Sequence, residues 1–82
     1  MPQSRQAILY RMVLPDHVCP FGVRAKQLLD EEGFEVDDRV LGTRADVDAF
    51  KADQGVATTP QVFVDGERIG GSDDLERFLA AR

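Results

Sequence analysis

The stretch Val18-Cys19-Pro20-Phe21-Gly22 divides two unlike runs of sequence, and the junction decides the fold. Proline is favoured at the first position of a helix, where its missing N–H costs nothing. After Pro20, the apolar Val23, Leu28 and Leu29 and the helix-forming Lys26 and Gln27 run on to Glu31-Glu32. Gly33 then stands where a helix C-cap belongs. The pattern predicts a helix that opens at Pro20 and has Cys19 at its N-cap. Upstream, Ala7-Ile8-Leu9-Tyr10-Arg11-Met12-Val13-Leu14 is short, apolar almost throughout, and closed by Pro15-Asp16. It reads as a strand buried on both faces, of the kind a parallel sheet contains.

Downstream, Phe34-Glu35-Val36-Asp37-Asp38-Arg39-Val40 begins with the alternation of a half-buried strand. Gly42-Thr43 breaks it, and Thr43 or Arg44 opens a second helix that carries Ala45, Val47, Ala49 and Phe50 and ends at Gly55. Thr58-Thr59-Pro60 introduces the β-branched and aromatic strand Gln61-Val62-Phe63-Val64. Asp65-Gly66 is a strong hairpin signal, and Glu67-Arg68-Ile69 supplies the return strand. Gly70-Gly71 breaks this in turn. Ser72 or Asp73 caps a last helix with Leu75, Phe78 and Leu79 on one face. The order is β-α-β-α-β-β-α: a single α/β domain over residues 1–82, with a parallel βαβ unit joined through a helix to an antiparallel hairpin.

A chain of 82 residues with 43% apolar content suffices for one core and not for two. The net charge is −5, and the ten basic residues form no run. That speaks against nucleic acid, whose affinity comes from neutralised phosphates, and against an anionic membrane surface. No stretch has the roughly 18 apolar residues that a membrane span needs. The segment Met1-Pro2-Gln3-Ser4-Arg5-Gln6 lacks the apolar core of a secretory signal. The expectation is a soluble, cytoplasmic monomer. The one cysteine can form no internal disulfide, and a lone thiol suits a reducing compartment.

Three places carry chemistry. A cysteine at a helix N-terminus feels the positive end of the helix dipole and the unpaired N–H groups of the first turn, and both favour thiolate over thiol. The same residue also reads as a small buried hydrophobe, or as a cap where serine would serve. Pro60 either starts its strand in trans or takes a cis bond that turns the preceding backbone groups towards an extended ligand. Gly70-Gly71-Ser72-Asp73 is either a plain capped turn or a set of helix N-terminal N–H groups that binds a carboxylate or phosphate.

The order and spacing of these pieces are more specific than any one of them. Cys19-Pro20-Phe21-Gly22, then Thr58-Thr59-Pro60-Gln61-Val62-Phe63-Val64-Asp65-Gly66, then Ile69-Gly70-Gly71-Ser72-Asp73-Asp74-Leu75 closely resembles the glutaredoxin family, from about Ile8 to the end of the chain. The resemblance implies a thioredoxin-like fold with a four-stranded mixed sheet. It implies a thiol–disulfide oxidoreductase with glutathione as co-substrate and glutathionylated proteins as partners. Cys19 corresponds to the nucleophile that attacks glutathione mixed disulfides. Pro60 corresponds to the family's cis-proline, and Thr59 would pair its backbone with the cysteinyl part of glutathione. Ser72 through its N–H, with Gly71 beside it, and Asp73 would hold the γ-glutamyl end. Phe21 matches the aromatic residue beside the sulfur.

The departures matter equally. Gly22 stands where dithiol members carry a resolving cysteine, so the resemblance implies a monothiol deglutathionylase. A cysteine restored there is expected to close an internal disulfide. The family's lysine shortly before the nucleophile is missing, and Asp16 occupies that distance in a segment some residues longer than usual. Arg11 is the candidate for the lysine's role. Arg44, ahead of Lys51, is the candidate anchor for the glycine carboxylate of glutathione. His17 is either a solvated loop residue or a partner of the sulfur. Some one-cysteine relatives instead carry a [2Fe–2S] cluster between two subunits, each giving one cysteine, here Cys19, with two glutathione thiols. Pro20, in place of the glycine common in that group, weighs against this. A third reading is a glutathione-binding module whose thiol is slowed by Asp16, since a nearby negative charge disfavours thiolate.

Overall fold

The computed structural model describes residues 5–81. Its elements are β1 (Gln6–Leu14), β2 (His17–Val18), α1 (Pro20–Glu31), β3 (Glu35–Leu41), α2 (Arg44–Gln54), β4 (Gln61–Val64), β5 (Glu67–Gly70) and α3 (Ser72–Ala80). Strands β3, β1, β4 and β5 lie side by side in that order, β1 with β3 parallel and the other pairs antiparallel. This is the four-stranded mixed sheet expected of a thioredoxin-like fold.

Successive strand residues point to opposite faces, and β1 shows why this sheet has two. Ala7 and Leu9 point to one side, where they join Ala25 and Leu29 of α1, Phe34, Val62 and Val64 of β4, and Leu75 of α3 in the main core. Tyr10 points to the other side and stacks on Phe50 of α2 with ring centroids 4.5 Å apart. Phe63 meets the same ring edge-on at 5.9 Å. Two helices therefore cover one face and one helix the other. On the α1 and α3 side of β1 only Ala7 and Leu9 are buried, and the rest of the strand from Ile8 on is half-buried, so it is less enclosed than its apolar run suggests.

The turn chemistry follows the residues. Asp65 and Gly66 take φ of 51° and 86°, the paired positive values of the tightest hairpin connection, which Asp-Gly tolerates best. Helix α2 starts under Thr43, whose Oγ1 accepts the Asp46 N–H at 3.0 Å. Helix α1 ends with the Phe34 N–H bonded to the Leu29 carbonyl at 3.1 Å, which lets Gly33 reverse the chain.

Two details depart from expectation. The long segment before Cys19 is a hairpin: β1 runs past the end of β4, turns at Pro15-Asp16, and pairs Val13 with Val18 and Leu14 with His17. Helix α3 is capped by Gly71, not by Ser72 or Asp73. The Asp74 carboxylate reaches back to accept the Gly71 N–H at 3.2 Å, which starts the helix one residue early and leaves Ser72 in its first turn. Among the described residues, no helix is long and apolar enough to cross a membrane.

Candidate functional site

Cys19 sits at the joint between the β1–β2 hairpin and α1. Its N–H donates to the Met12 carbonyl at 3.4 Å, extending the hairpin ladder. Its own carbonyl accepts the Gly22 N–H at 3.1 Å and the Val23 N–H at 3.4 Å, opening the helix. Cys19 is thus the N-cap, with Pro20 directly after it, and its side chain makes no capping hydrogen bond. The residue is 9% exposed. It combines a free thiol, the helix N-terminus and near-complete shelter from water.

Beside this joint runs a groove of about 380 Å³. Phe21, from the first turn of α1, lines one side; Thr58, Thr59 and Pro60 form another; Gly71, Ser72 and Asp73 close it. The Thr59–Pro60 peptide bond is cis. Gly71 has no side chain, and a Cβ there would lie 3.5 Å from the Pro60 carbonyl oxygen, so the start of α3 lies close to the residue before β4. Phe21 is 58% exposed, an apolar ring turned to solvent at the rim. Ser72 is only 4% exposed. With glycine as N-cap, the cap residue itself has no side chain to bond the first-turn N–H groups. Those groups carry the partial positive charge of a helix start.

Thus the groove brings together Phe21, Thr59, Pro60, Gly71, Ser72 and Asp73, while Cys19 is not among its lining residues and stands two positions before Phe21. It adds three residues that the sequence did not single out: Thr58, Gln61 and Asp74. Gln61 is buried, and its Nε2 donates to the Thr58 carbonyl at 3.0 Å, tying down the threonine segment. A buried amide at a strand start was the available signal, since such a group needs a partner.

Arg11 and Arg44 do not line the groove. Arg44 lies exposed at the start of α2, its Nη1 3.9 Å from the Met12 sulfur. Arg11 is held by Asp38: Nε and Nη2 donate to the two carboxylate oxygens at 2.8 Å each. The Arg11 side chain is 18% exposed and that of Asp38 22%. The hydrogen bonds from Arg11 hold the Asp38 carboxyl below the usual carboxylate range, outweighing its partial burial, and raise Arg11 further above its ordinary value. His17 is exposed on β2.

The chain matches the Glutaredoxin family model over residues 7–69. It is 47% identical over 62 residues to a hybrid peroxiredoxin of Haemophilus influenzae, covering 76% of this chain but only 26% of that protein. Among solved structures, glutaredoxin 1 of Francisella tularensis, complexed with cacodylate, superposes with a TM-score of 0.78 at 26% identity, over 95% of both chains. The buckwheat glutaredoxin–glutathione complex superposes with a TM-score of 0.71 at 26% identity, over 94% of this chain and 71% of that one. A sheet order, a cysteine-capped helix and a cis-proline groove that agree with a family model spanning most of the sequence leave one assignment: the chain belongs to the glutaredoxin family.

Proposed function

We propose that this chain is a glutathione-dependent thiol–disulfide oxidoreductase that works through Cys19 alone. The observation that carries the reading is the placement of the one thiol at the N-cap of α1, two residues before the Phe21 that lines a groove together with Thr59-Pro60 and the start of α3. In the first step the Cys19 thiolate attacks the glutathione sulfur of a protein–glutathione mixed disulfide. The old S–S bond breaks, and the protein thiolate leaves and takes a proton from water. In the second step a free glutathione thiolate attacks the Cys19–glutathione disulfide, giving oxidised glutathione and regenerating Cys19. Thiol–disulfide exchange of this kind needs thiolate and access, and no second protein thiol; with Cys19 only 9% exposed, the substrate sulfur would have to reach it through that small opening.

The groove would serve the glutathione half of the substrate. Thr59 would offer its backbone to the cysteinyl amide, and the N–H groups of Ser72 and Asp73 would take the γ-glutamyl carboxylate, as helix starts take anions. The Asp73 carboxylate would face the ammonium of the same unit. The reading is tested by the rate at which the protein reduces a glutathionylated protein in the presence of glutathione. Turnover well above that of Cys19→Ser is expected. A wild-type rate equal to the Cys19→Ser background refutes it.

A further inference from the structure

The register of β1 shows what surrounds Cys19. Gln61 of β4 pairs with Tyr10, and the Cys19 N–H bonds to the Met12 carbonyl two positions further on. Strand β3 holds the other edge of β1 as far as Met12, so β4 and β2 follow one another along the same edge. Cys19 stands where they meet. Pro60-Gln61, which line the groove, lie on one side of it, and the end of the hairpin from Val18 back to Pro15 lies on the other. Neither β3 nor β4 reaches that end, for their last partners on β1 are Met12 and Tyr10. Pro15, Asp16, His17 and Val18 are all exposed. Three residues of chain span at most about 11 Å, so the Asp16 backbone lies within that distance of Cys19.

We infer that this hairpin tip reads the protein half of the mixed disulfide, and that Asp16 makes it favour cysteines flanked by lysine or arginine. The inference rests on the reading of Cys19 as the exchanging thiol and adds the class of substrate. With glutathione in the groove, the surface left beside Cys19 for the other half of the substrate is the tip, with the exposed apolar side chains of Val18 and Phe21. Cys19 is nearly enclosed, so the protein half cannot stand off from that surface while its sulfur is exchanged. The charges of the two sides differ in what is left over. Asp73, on the groove side, would meet the ammonium of glutathione. Asp16 has no ion pair or hydrogen bond among the described residues, and its carboxylate is open to a cation on the substrate. The net charge of −5 acts in the same direction, drawing cationic partners towards the protein. Arg44, beside Met12 on the α2 side, is the charge that opposes it. Asp16 is thus a specificity residue, which touches the protein half and takes no part in the transfer between sulfurs.

Two peptides test this, each glutathionylated on one cysteine and identical except that both neighbours of the cysteine are lysine in one and glutamate in the other. Their kcat/KM is measured with glutathione at low and high salt for wild type, Asp16→Asn and Asp16→Lys. The mixed disulfide of glutathione with 2-mercaptoethanol, which has no protein half, is the reference substrate. Wild type should favour the lysine peptide about fivefold at low salt, the most that one exposed ion pair gives, and less at high salt. Asp16→Asn should lower that preference about threefold through KM, and Asp16→Lys should abolish or reverse it. The reference rate should be the same in all three proteins. An equal preference in wild type and Asp16→Lys overturns the inference. So does an Asp16 change that shifts the reference as much as the peptides, since the carboxylate then acts on the Cys19 thiol instead of the substrate. A wild-type preference for the glutamate peptide also overturns it and gives the choice to Arg44. The oxidoreductase reading fails separately, by a wild-type rate on the reference substrate no higher than that of Cys19→Ser.

Discussion

Asp38→Asn should destabilise the protein at neutral pH and leave it almost indifferent to the change in strong acid. The wild-type pair makes two charge-assisted hydrogen bonds of 2.8 Å between groups that are 18% and 22% exposed. Hydrogen bonds to charged groups contribute about 1.5–3 kcal/mol, whereas exposed ion pairs contribute about 0–1 kcal/mol. Asparagine keeps one acceptor oxygen, so one bond survives in weakened form and the other is lost along with the charge. A cost of about 2 kcal/mol follows, in the lower half of the first range because one bond survives. In a domain of this size each kcal/mol moves the melting temperature by roughly 4–8 °C, so a drop of roughly 8–16 °C is expected at pH 7. The dependence on pH has a definite sign. Arg11 lowers the folded-state value of Asp38 below the unfolded one, so the stabilisation is complete above about pH 4–5 and is lost as pH falls through the folded value. Arg11 stays charged throughout this range. Urea unfolding of both proteins at pH 7, 5 and 3 and near pH 2 is the assay. The gap between them should be constant from pH 7 to 5 and close towards pH 2. A gap that is absent at pH 7, or that persists unchanged near pH 2, refutes the assignment of this stability to the ionised pair.

Two further changes probe the groove and its support. Asp73→Ala should weaken glutathione binding by about 1–3 kcal/mol, the loss of a charge-assisted hydrogen bond, as read by titration calorimetry. Unchanged affinity removes Asp73 from the site. Gly70 has φ of 120°, and a Cβ there would run into the Asp74 carboxylate that accepts the Gly71 N–H. Gly70→Ala should therefore cost more than about 1 kcal/mol in urea unfolding, because strain and a disturbed helix start add up. A variant as stable as wild type shows that the turn relaxes freely.

Much of this molecule is legible in the sequence because its signals are local. Pro20 after Cys19 marks a helix start, and Asp65-Gly66 marks a hairpin, whatever the rest of the chain does. The groove is different. Thr59, Gly71 and Phe21 come from three separate elements, and only the resemblance to a family brought them together before the structure did. The β1–β2 hairpin escaped notice because Pro15-Asp16 lacks the glycine of the favoured two-residue turns, so it reads as a strand end. The Arg11–Asp38 pair escaped for another reason. The partners are 27 residues apart on neighbouring parallel strands, and they meet only once the register is known. The cap of α3 lies one or two residues before the expected Ser72 or Asp73: both have better capping side chains than glycine, but Ser72 is buried and Asp74 reaches Gly71 instead.

The hairpin before the nucleophile has a consequence for how this chain tolerates change. Cys19 is the last rung of the β1–β2 ladder and the first residue of the α1 cap, and backbone bonds to Met12 on one side and to Gly22 and Val23 on the other fix where the sulfur stands. Beyond the rung lies a tip that runs from Val13 to Val18, and its last four residues are exposed. Length and position are thereby uncoupled. A hairpin lengthened or shortened by whole rungs moves its tip through solvent and leaves the thiol in place. A single residue inserted between Met12 and the ladder flips every side chain of the segment to the other face and carries Cys19 away from the groove. The tip can change; the rung cannot.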